Sequence, residues 1–369
     1  MPLTIAIDIR ETSRIKTGKG WYAFLLIKEL LKQNSKNHYL LYTQKKNPEF
    51  EKYAYVEQRV FCQRGIFWHL AVLRDLKKVK PSFFWAPTSY LIPALAPKWL
   101  KIVITVHDVV SFIFPLGHNK KALWLERFTL KYAVKKSTKI VTISQNTKND
   151  LRALFKIPES KIVIISCAAS KIFKPDIENE KLKFVQKKYN LPAKFILAVG
   201  TLAPRKNLGR LIQAYSQIVH SYPNIHLVMV GDRGWEMSDI LKEIKNNRNQ
   251  IHWIGYVEGG ELAALYSLAE LFVFPSLYEG FGIPPLEAMA CGCPVITSNS
   301  SSLPEVVGDA ALQVDPYSVA ALKKAINQFL SNDILRQEFT NKGYERVKKF
   351  SWERSAQTLL ATFQSLQGD

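Results

Sequence analysis

Glu279 and Glu287 stand eight positions apart in the stretch Pro275-Ser276-Leu277-Tyr278-Glu279-Gly280-Phe281-Gly282-Ile283-Pro284-Pro285-Leu286-Glu287. The apolar run Leu271 to Phe274 before it has strand composition and stops at Pro275, while Pro284 and Pro285 fit a helix's first turn and Gly292 fits its end. The reading is a strand, a polar loop and a helix start. Gly280 and Gly282 let backbone approach a ligand closely, and the unpaired N–H groups at the helix start favour an anion there. An ordinary strand-to-helix turn with one solvated glutamate has the same outline, so the glycines alone support only an anion site. Glycosidase chemistry by the two carboxylates fits poorly. If 279–287 were wholly helical, they would lie about 12 Å apart along the axis, whereas a retaining hydrolase holds its pair at about 5 Å. With Glu279 in the loop and Glu287 in the helix, they can accept hydroxyl hydrogen bonds from opposite ends of one long ligand. A sugar nucleotide has such ends.

Cations that would suit a diphosphate lie upstream, in Val199-Gly200-Thr201-Leu202-Ala203-Pro204-Arg205-Lys206-Asn207-Leu208. A departing nucleoside diphosphate gains negative charge as its bond to a sugar breaks. Arg205 offers a two-pronged donor, Lys206 a point charge and the helix start fixed N–H groups. Taken alone, Arg205-Lys206 is equally a solvated loop pair. A third strand end carries glycines in Val230-Gly231-Asp232-Arg233-Gly234. Near the amino terminus, Gly18-Lys19-Gly20 precedes a helical pattern and suits close approach to a phosphate or a sugar, without the last glycine of a dinucleotide fingerprint. His107-Asp108 ends the strand-like run Lys101 to Val106, where ligands of open α/β sheets collect, although a strand-end histidine often serves only as a structural hydrogen-bonding group.

The elements that must position these residues alternate. In the first half, strand patterns at Leu3 to Ile9, Tyr39 to Thr43, Ser82 to Ala86, Ile102 to Val106, Ile140 to Ile143 and Ile162 to Ile165 are separated by helical or irregular stretches. The first helix is expected from Gly20 to Gln33, after a polar loop from Arg10 to Lys19, with Trp21, Phe24, Leu25, Lys28 and Leu31 on its buried face. The second half repeats the alternation from Phe195 to Val314, followed by helices 318–330, 334–349 and 352–366. The expected class is α/β, with two doubly wound domains, 1–175 and 176–350, and a terminal helix over 351–369.

The formal charge is +20, from 51 Lys and Arg against 31 Asp and Glu. Residues 1–175 hold 31 bases and 11 acids, whereas 176–369 hold 20 of each, so the whole excess lies in the first half. That asymmetry suits an anionic partner, either nucleic acid or a leaflet rich in acidic lipid, unless it is a solvated surface. No recognisable nucleic-acid reader accompanies it, which favours the membrane and argues against nucleic acid. Two stretches join bases with aromatics, 64–78 and 120–132. Each reads either as an interfacial helix or as a helix packed on the sheet.

Cys62, Cys167, Cys291 and Cys293 form no disulfide framework, which fits a reducing cytoplasm. No second Cys or His pair at ligand spacing joins Cys291-Gly292-Cys293, so no metal site is expected. The opening Met1-Pro2-Leu3-Thr4-Ile5-Ala6-Ile7-Asp8 reads as a strand and not as a signal peptide, and the apolar runs fall short of the roughly 20 residues that cross a bilayer. Membrane contact is therefore expected to be peripheral, at the inner face of the cell membrane.

Together these motifs resemble the large family of retaining GT-B glycosyltransferases typified by bacterial α-mannosyltransferases, often called family 4. Glu279 and Glu287 match its E-x7-E motif, and Leu303-Pro304-Glu305-Val306-Val307-Gly308-Asp309-Ala310-Ala311 matches the segment that follows. Arg205-Lys206-Asn207 resembles its diphosphate-binding segment, Gly18-Lys19-Gly20 its amino-terminal glycine loop and His107-Asp108 its acceptor-domain pair. The resemblance runs from residue 3 to about residue 330.

It implies two Rossmann-like domains facing a cleft, acceptor in the first and donor in the second, with the terminal helix crossing back to the first. His107, Glu279, Arg205 and Lys206 would be catalytic. Glu279 would hold donor-sugar hydroxyls, Glu287 the ribose, and Arg205 and Lys206 the diphosphate. Gly18, Gly20, Gly200, Gly231, Val257, Gly280, Phe281, Gly282 and Ile283 would complete the donor site. Such enzymes usually need no metal or cofactor, and retention is generally attributed to front-face displacement in which the leaving phosphate helps to deprotonate the acceptor. The implied reaction moves a hexose, mannose from GDP-mannose first, or else a UDP- or ADP-linked sugar or a deoxyhexose, onto a lipid-linked or polysaccharide acceptor. A non-catalytic nucleic-acid or sugar-nucleotide binder is the competing class. Many relatives have Gly-Arg where this chain has Gly200-Thr201, and Arg205 is the available substitute. Lys19 and Trp21 also depart from the usual residues around the glycines, which points to a specialised acceptor loop.

Overall fold

The computed structural model describes residues 2–12, 18–115, 120–234, 238–247 and 249–367. The chain divides into two compact units, one comprising residues 1–167 and 351–369 and the other residues 168–350. The passage falls eight residues before the expected 175/176. Phe173 sets its ring edge-on against Tyr266, 5.9 Å away, which ties the residues after 167 to the second unit.

The first unit runs β1 (Thr4–Asp8), α1 (Gly18–Gln33), β2 (His38–Thr43), β3 (Val56–Val60), α2 (Ile66–Val79), β4 (Phe83–Ala86), α3 (Leu91–Leu95), β5 (Lys101–Val106), α4 (Val110–Ile113), α5 (Lys120–Lys136), β6 (Lys139–Thr142), α6 (Gln145–Phe155) and β7 (Ile162–Ile164). Its sheet is parallel in the order β3-β2-β1-β4-β5-β6-β7. Helices cover both faces of such a sheet, so its inner strands are apolar without alternation. In β4, Phe83, Phe84, Trp85 and Ala86 are all buried.

The second unit runs α7 (Asn179–Lys188), β8 (Lys194–Val199), α8 (Leu208–Ser216), β9 (Ile225–Val230), α9 (Ser238–Asn246), β10 (Ile251–Trp253), α10 (Gly259–Leu268), β11 (Leu271–Phe274), α11 (Ile283–Ala290), β12 (Val295–Ser298), α12 (Leu303–Val307), β13 (Leu312–Val314), α13 (Val319–Leu330) and α14 (Asp333–Val347). Its sheet is parallel in the order β10-β9-β8-β11-β12-β13. In both sheets the strand order reverses beside the first strand of the unit, at β1/β4 and at β8/β11. Loops at the carboxyl ends part there and leave a crevice for ligands.

The last helix, α15 (Trp352–Ser365), belongs to the first unit. Trp352 meets Tyr22 of α1 edge-on at 5.6 Å, Phe363 stacks on Phe83 at 5.9 Å, and Lys101 Nζ donates to the Leu366 carbonyl at 2.7 Å.

Three expectations need correction. The first helix begins at Gly18, and its buried side carries Tyr22, Phe24, Leu26, Ile27, Leu30 and Leu31, while Trp21 is 41% exposed. The sheet and α15 both pack on α1, so its buried face is broader than one stripe and turned by about one residue. Of the loop expected from Arg10 to Lys19, residues 13–17 lie outside the described residues. The edge strand β3, Val-Glu-Gln-Arg-Val, was not anticipated, because an edge facing water carries no apolar run.

Candidate active site

Because β8 and β11 are hydrogen-bonded neighbours, their two loops run side by side. Lys206 Nζ lies 2.6 Å from Glu279 Oε1, and Arg205 Nη1 lies 2.9 Å from the same oxygen. Arg205 Nη1 also donates to the Tyr278 carbonyl at 3.2 Å, and the Leu277 N–H donates to the Arg205 carbonyl at 2.8 Å. Asn207 holds a left-handed backbone, φ +58°, and its Nδ2 donates to the carbonyls of Pro275 at 3.0 Å and Pro316 at 2.6 Å. The reach of Lys206 depends on Gly200, where an added Cβ would sit 3.2 Å from Lys206 Cε. The ammonium also lies 4.6 Å from the centre of the Phe274 ring, an attractive placement for a cation.

The charges decide the state of each glutamate. Burial pushes the Glu279 carboxyl up, but the charges of Lys206 and Arg205 more than offset this and hold it below its ordinary value. Glu279 is therefore an anion in neutral solution. Among the described residues no cation pairs with Glu287, which projects from α11. Burial pushes it up to about 7, against the Tyr266 hydroxyl, which donates to Oε2 at 3.3 Å. Two carboxylates eight residues apart thus differ in character: one is an anion at neutral pH, the other titrates at about 7.

A serine run not singled out from the sequence fixes the loop between them. Ser301 Oγ accepts the Glu279 N–H at 2.9 Å, while Ser302 Oγ donates to the carbonyls of Glu279 at 2.9 Å and Phe281 at 2.7 Å. Ser298 and Ser300 reach the Ser276 carbonyl at 2.5 and 3.2 Å. The signal was available as Ser298-Asn299-Ser300-Ser301-Ser302 after a strand, since serines there commonly bind neighbouring backbone. Gly282 holds φ +105° at the start of α11, and a Cβ there would meet Leu303 Cδ2 at 2.5 Å. Phe281 is buried edge-on against Phe350 at 5.6 Å, so only its backbone can serve a ligand. Gly280 lies in the same loop, and Ile283 opens α11. Gly231 follows β9, and Val257 is buried ahead of α10.

The remaining expected residues are in the first unit. Gly18 and Gly20 form the opening turn of α1 and not a preceding loop. His107 is buried just beyond β5, 4.8 Å from the Tyr22 ring. Its Nε2 is 2.7 Å from the Pro87 carbonyl, so that nitrogen carries the proton and Nδ1 is the basic one. Burial and then the charge of Lys19 pull its pKa down to about 4. At pH 7 His107 is a neutral, firmly oriented imidazole, better fitted to hold a hydroxyl than to take its proton. Asp108 Oδ1 accepts the Val110 N–H at 3.1 Å and so turns the chain into α4.

A further cluster was missed because its members are far apart in sequence. Asp8, buried at the end of β1, grips Arg10 by two hydrogen bonds, Oδ1 to Nε at 3.1 Å and Oδ2 to Nη2 at 2.8 Å. Arg10 lies 3.9 Å over the Trp68 ring, and its Nη1 is 3.2 Å from His69 Nε2. Burial and the charge of Arg10 lower the His69 pKa to about 4, so Nε2 accepts from the guanidinium. Arg10, Lys19, His69, Tyr90, Leu125 and Glu126 are among the residues lining an open pocket of about 430 Å³ in this unit. Among the described residues, no group of three or more His, Cys, Asp or Glu could hold a metal ion.

Residues 179–346 match the family described as "Glycosyl transferases group 1", and residues 17–170 match "Glycosyltransferase Family 4". Over 291 residues the chain is 37% identical to O-antigen chain mannosyltransferase B of Escherichia coli, covering 78% of this chain and 75% of that protein. This chain is a group 1 glycosyltransferase.

The enzyme is also 33% identical, over 286 residues, to the serotype-specific mannosyltransferase WbdA of Escherichia coli, covering 74% of this chain and 34% of that longer protein. Among solved structures it is similar to sucrose-phosphate synthase from Thermosynechococcus elongatus, with a TM-score of 0.79 at 22% identity and 99% of each chain covered. WaaG, a glycosyltransferase involved in lipopolysaccharide biosynthesis, gives a TM-score of 0.76 at 16% identity, covering 99% of this chain and 100% of that one. These likenesses establish the fold as GT-B.

Proposed function

We propose that this glycosyltransferase moves mannose from GDP-mannose, with retention of configuration, onto a lipid-linked or polysaccharide acceptor at a membrane surface. The observation that carries the reading is the Lys206–Glu279–Arg205 cluster beside the start of α11. It supplies two cations and the positive end of the α11 dipole for a diphosphate, and a carboxylate for sugar hydroxyls, within one pair of loops. Glu279 keeps the cations in place before a donor arrives. When the β-phosphate takes up negative charge during bond cleavage, Lys206 and Arg205 are already oriented towards the site, so little reorganisation is required. Glu287, poised near neutrality, accepts the ribose hydroxyls. The neutral His107 orients the acceptor hydroxyl, whose proton passes to the departing phosphate. The reading gives charge neutralisation to these side chains and to α11, with no metal and no cofactor.

Mannose is favoured by the names of the relatives at 37% and 33% identity, both mannosyltransferases. The acceptor is assigned to the pocket of the first unit, where the clamped Arg10 and the carboxylates Glu11 and Glu126 offer donors and acceptors to a sugar. The excess positive charge of residues 1–175 supports peripheral association with an anionic leaflet, and no nucleic acid is involved. No helix among the described residues is long and apolar enough to cross a membrane. Turnover assays with GDP-, UDP- and ADP-sugars test the reading. Transfer from GDP-mannose supports it, and transfer only from another donor replaces mannose with that sugar.

A further inference from the structure

The two basic aromatic stretches of the sequence both form helices. In α2, Trp68 turns inward with Val72, Leu73 and Leu76 and is wholly buried, while Ile66, Phe67 and Leu70 are 46%, 69% and 39% exposed without an aromatic stack among them. In α5 the inward residues are Thr129, Leu130, Ala133 and Val134, and the large side chains face out. Trp124 is 64% exposed, Leu125 48%, Phe128 46% and Tyr132 44%. They are ordered along one stripe: Trp124 stacks on Phe128 at 5.3 Å with 15° between planes, and Phe128 meets Tyr132 at 4.6 Å. On the same exposed side stand Lys120, Lys121, Lys131 and Lys135, with no acid among them, while Lys136 Nζ turns back to donate to the Ala96 carbonyl at 3.1 Å. Glu126, the helix's one carboxylate, lines the pocket instead.

We propose that this face of α5 is the surface by which the enzyme sits on an anionic bilayer, its aromatic stripe at headgroup level and its lysines among the lipid phosphates. Stacked rings with a row of lysines around them match the amphipathic requirements of an interfacial helix. Charge decides between a bilayer and a second copy of the chain. A two-fold contact through this face would set four lysines against four, whereas an anionic leaflet complements them. The proposal rests on the membrane part of the proposed function and specifies it, and it links surface to site. Leu125 belongs both to the exposed stripe and to the pocket wall, so a docked α5 brings the pocket mouth to the lipid, where a lipid-linked acceptor would present its sugar.

Vesicle flotation of the whole protein tests it, using neutral lipid with about a third phosphatidylglycerol at about 0.1 and about 0.5 M salt. The wild type should float at low salt and lose most of its binding at high salt. Trp124→Ala with Phe128→Ala should lower the partition coefficient at least tenfold, two exposed rings being lost from the interface. Lys120→Gln, Lys131→Gln and Lys135→Gln should each lower it about fivefold and reduce the salt dependence. All these side chains are exposed, so unfolding midpoints and transfer to a soluble acceptor should be unchanged. Flotation of the variants like wild type, or no flotation of wild type, would overturn the proposal. A wild-type dimer that the aromatic variant dissociates would assign the face to a second copy. Normal flotation without sugar transfer would sink the proposed function and leave this surface standing, whereas transfer to a soluble acceptor without flotation would do the reverse.

Discussion

Lys206 and Glu279, 73 residues apart in sequence, meet at 2.6 Å because β8 and β11 are neighbours and each ends in a loop turned towards the other. Both side chains are only about a tenth exposed, 10% and 11%, so neither charge has much water to replace its partner. Lys206→Met should leave Glu279 with Arg205 alone and cost about 2 kcal/mol of stability, read as a lower urea midpoint. The pair also sets a pH dependence. The Glu279 pKa is lowered in the folded state, so its contribution is complete above the ordinary carboxyl range and is lost as pH falls through the folded value. Lys206→Met should therefore remove part of the acid sensitivity of folding. Its kcat/KM for the nucleotide sugar should fall about a hundredfold or more.

Glu287 behaves in the opposite sense. Its pKa is raised to about 7, so the folded state holds the proton more tightly than the unfolded chain. That stabilisation is complete below the unfolded pKa near 4.5 and disappears as pH rises through about 7. It amounts to about 3 kcal/mol. Comparing urea unfolding at pH 5 and pH 8, Glu287→Gln should lose less stability over the interval than wild type. Donor binding to the carboxylate should weaken below pH 7 in wild type and become flat in the variant.

His107 should not titrate near its ordinary pKa in the folded enzyme, because burial and Lys19 lower its value to about 4. The unfolded chain takes up that proton near pH 6.5, so the contribution of His107 to stability is complete above 6.5 and is lost as pH falls through about 4. By pH 5 about 2 kcal/mol of it has been lost. His107→Phe should unfold at more nearly equal denaturant concentrations at pH 7 and pH 5 than wild type does. Its kcat should drop about a hundredfold, with donor affinity unchanged.

Gly282→Ala tests the geometry at the start of α11. With φ +105° and a Cβ that would lie 2.5 Å from Leu303, the alanine must move either the loop or a buried leucine. A cost of about 1–3 kcal/mol is expected, with weaker donor binding as the helix start shifts. An unchanged unfolding curve would show that the loop adapts freely.

Much of this was legible in the sequence. Strands buried on both faces, such as 271–274 and 102–106, stand out as short apolar runs, and glycines and prolines mark where they end. The Glu279, Arg205 and Lys206 side chains could be named, but their meeting on one carboxylate oxygen could not, because it depends on strand order. Edge strand β3 was hidden by its polar residues. The buried side of α1 was misread because α15, more than 300 residues later, adds a second neighbour. The clamp of Asp8, Arg10 and His69 escaped notice for the same reason: 59 residues separate Arg10 from His69, and only the fold brings them together.

The measurement that reaches the central claim most directly is the anomeric configuration of the product. The purified enzyme, given GDP-mannose and an oligosaccharide acceptor with a short alkyl tail, should yield a new α-mannoside by NMR, and Glu279→Ala and Lys206→Ala should yield almost none while remaining folded. A β-linked product would contradict retention. The absence of turnover with GDP-, UDP- and ADP-sugars alike would contradict the assignment of the Lys206–Glu279–Arg205 cluster to sugar transfer.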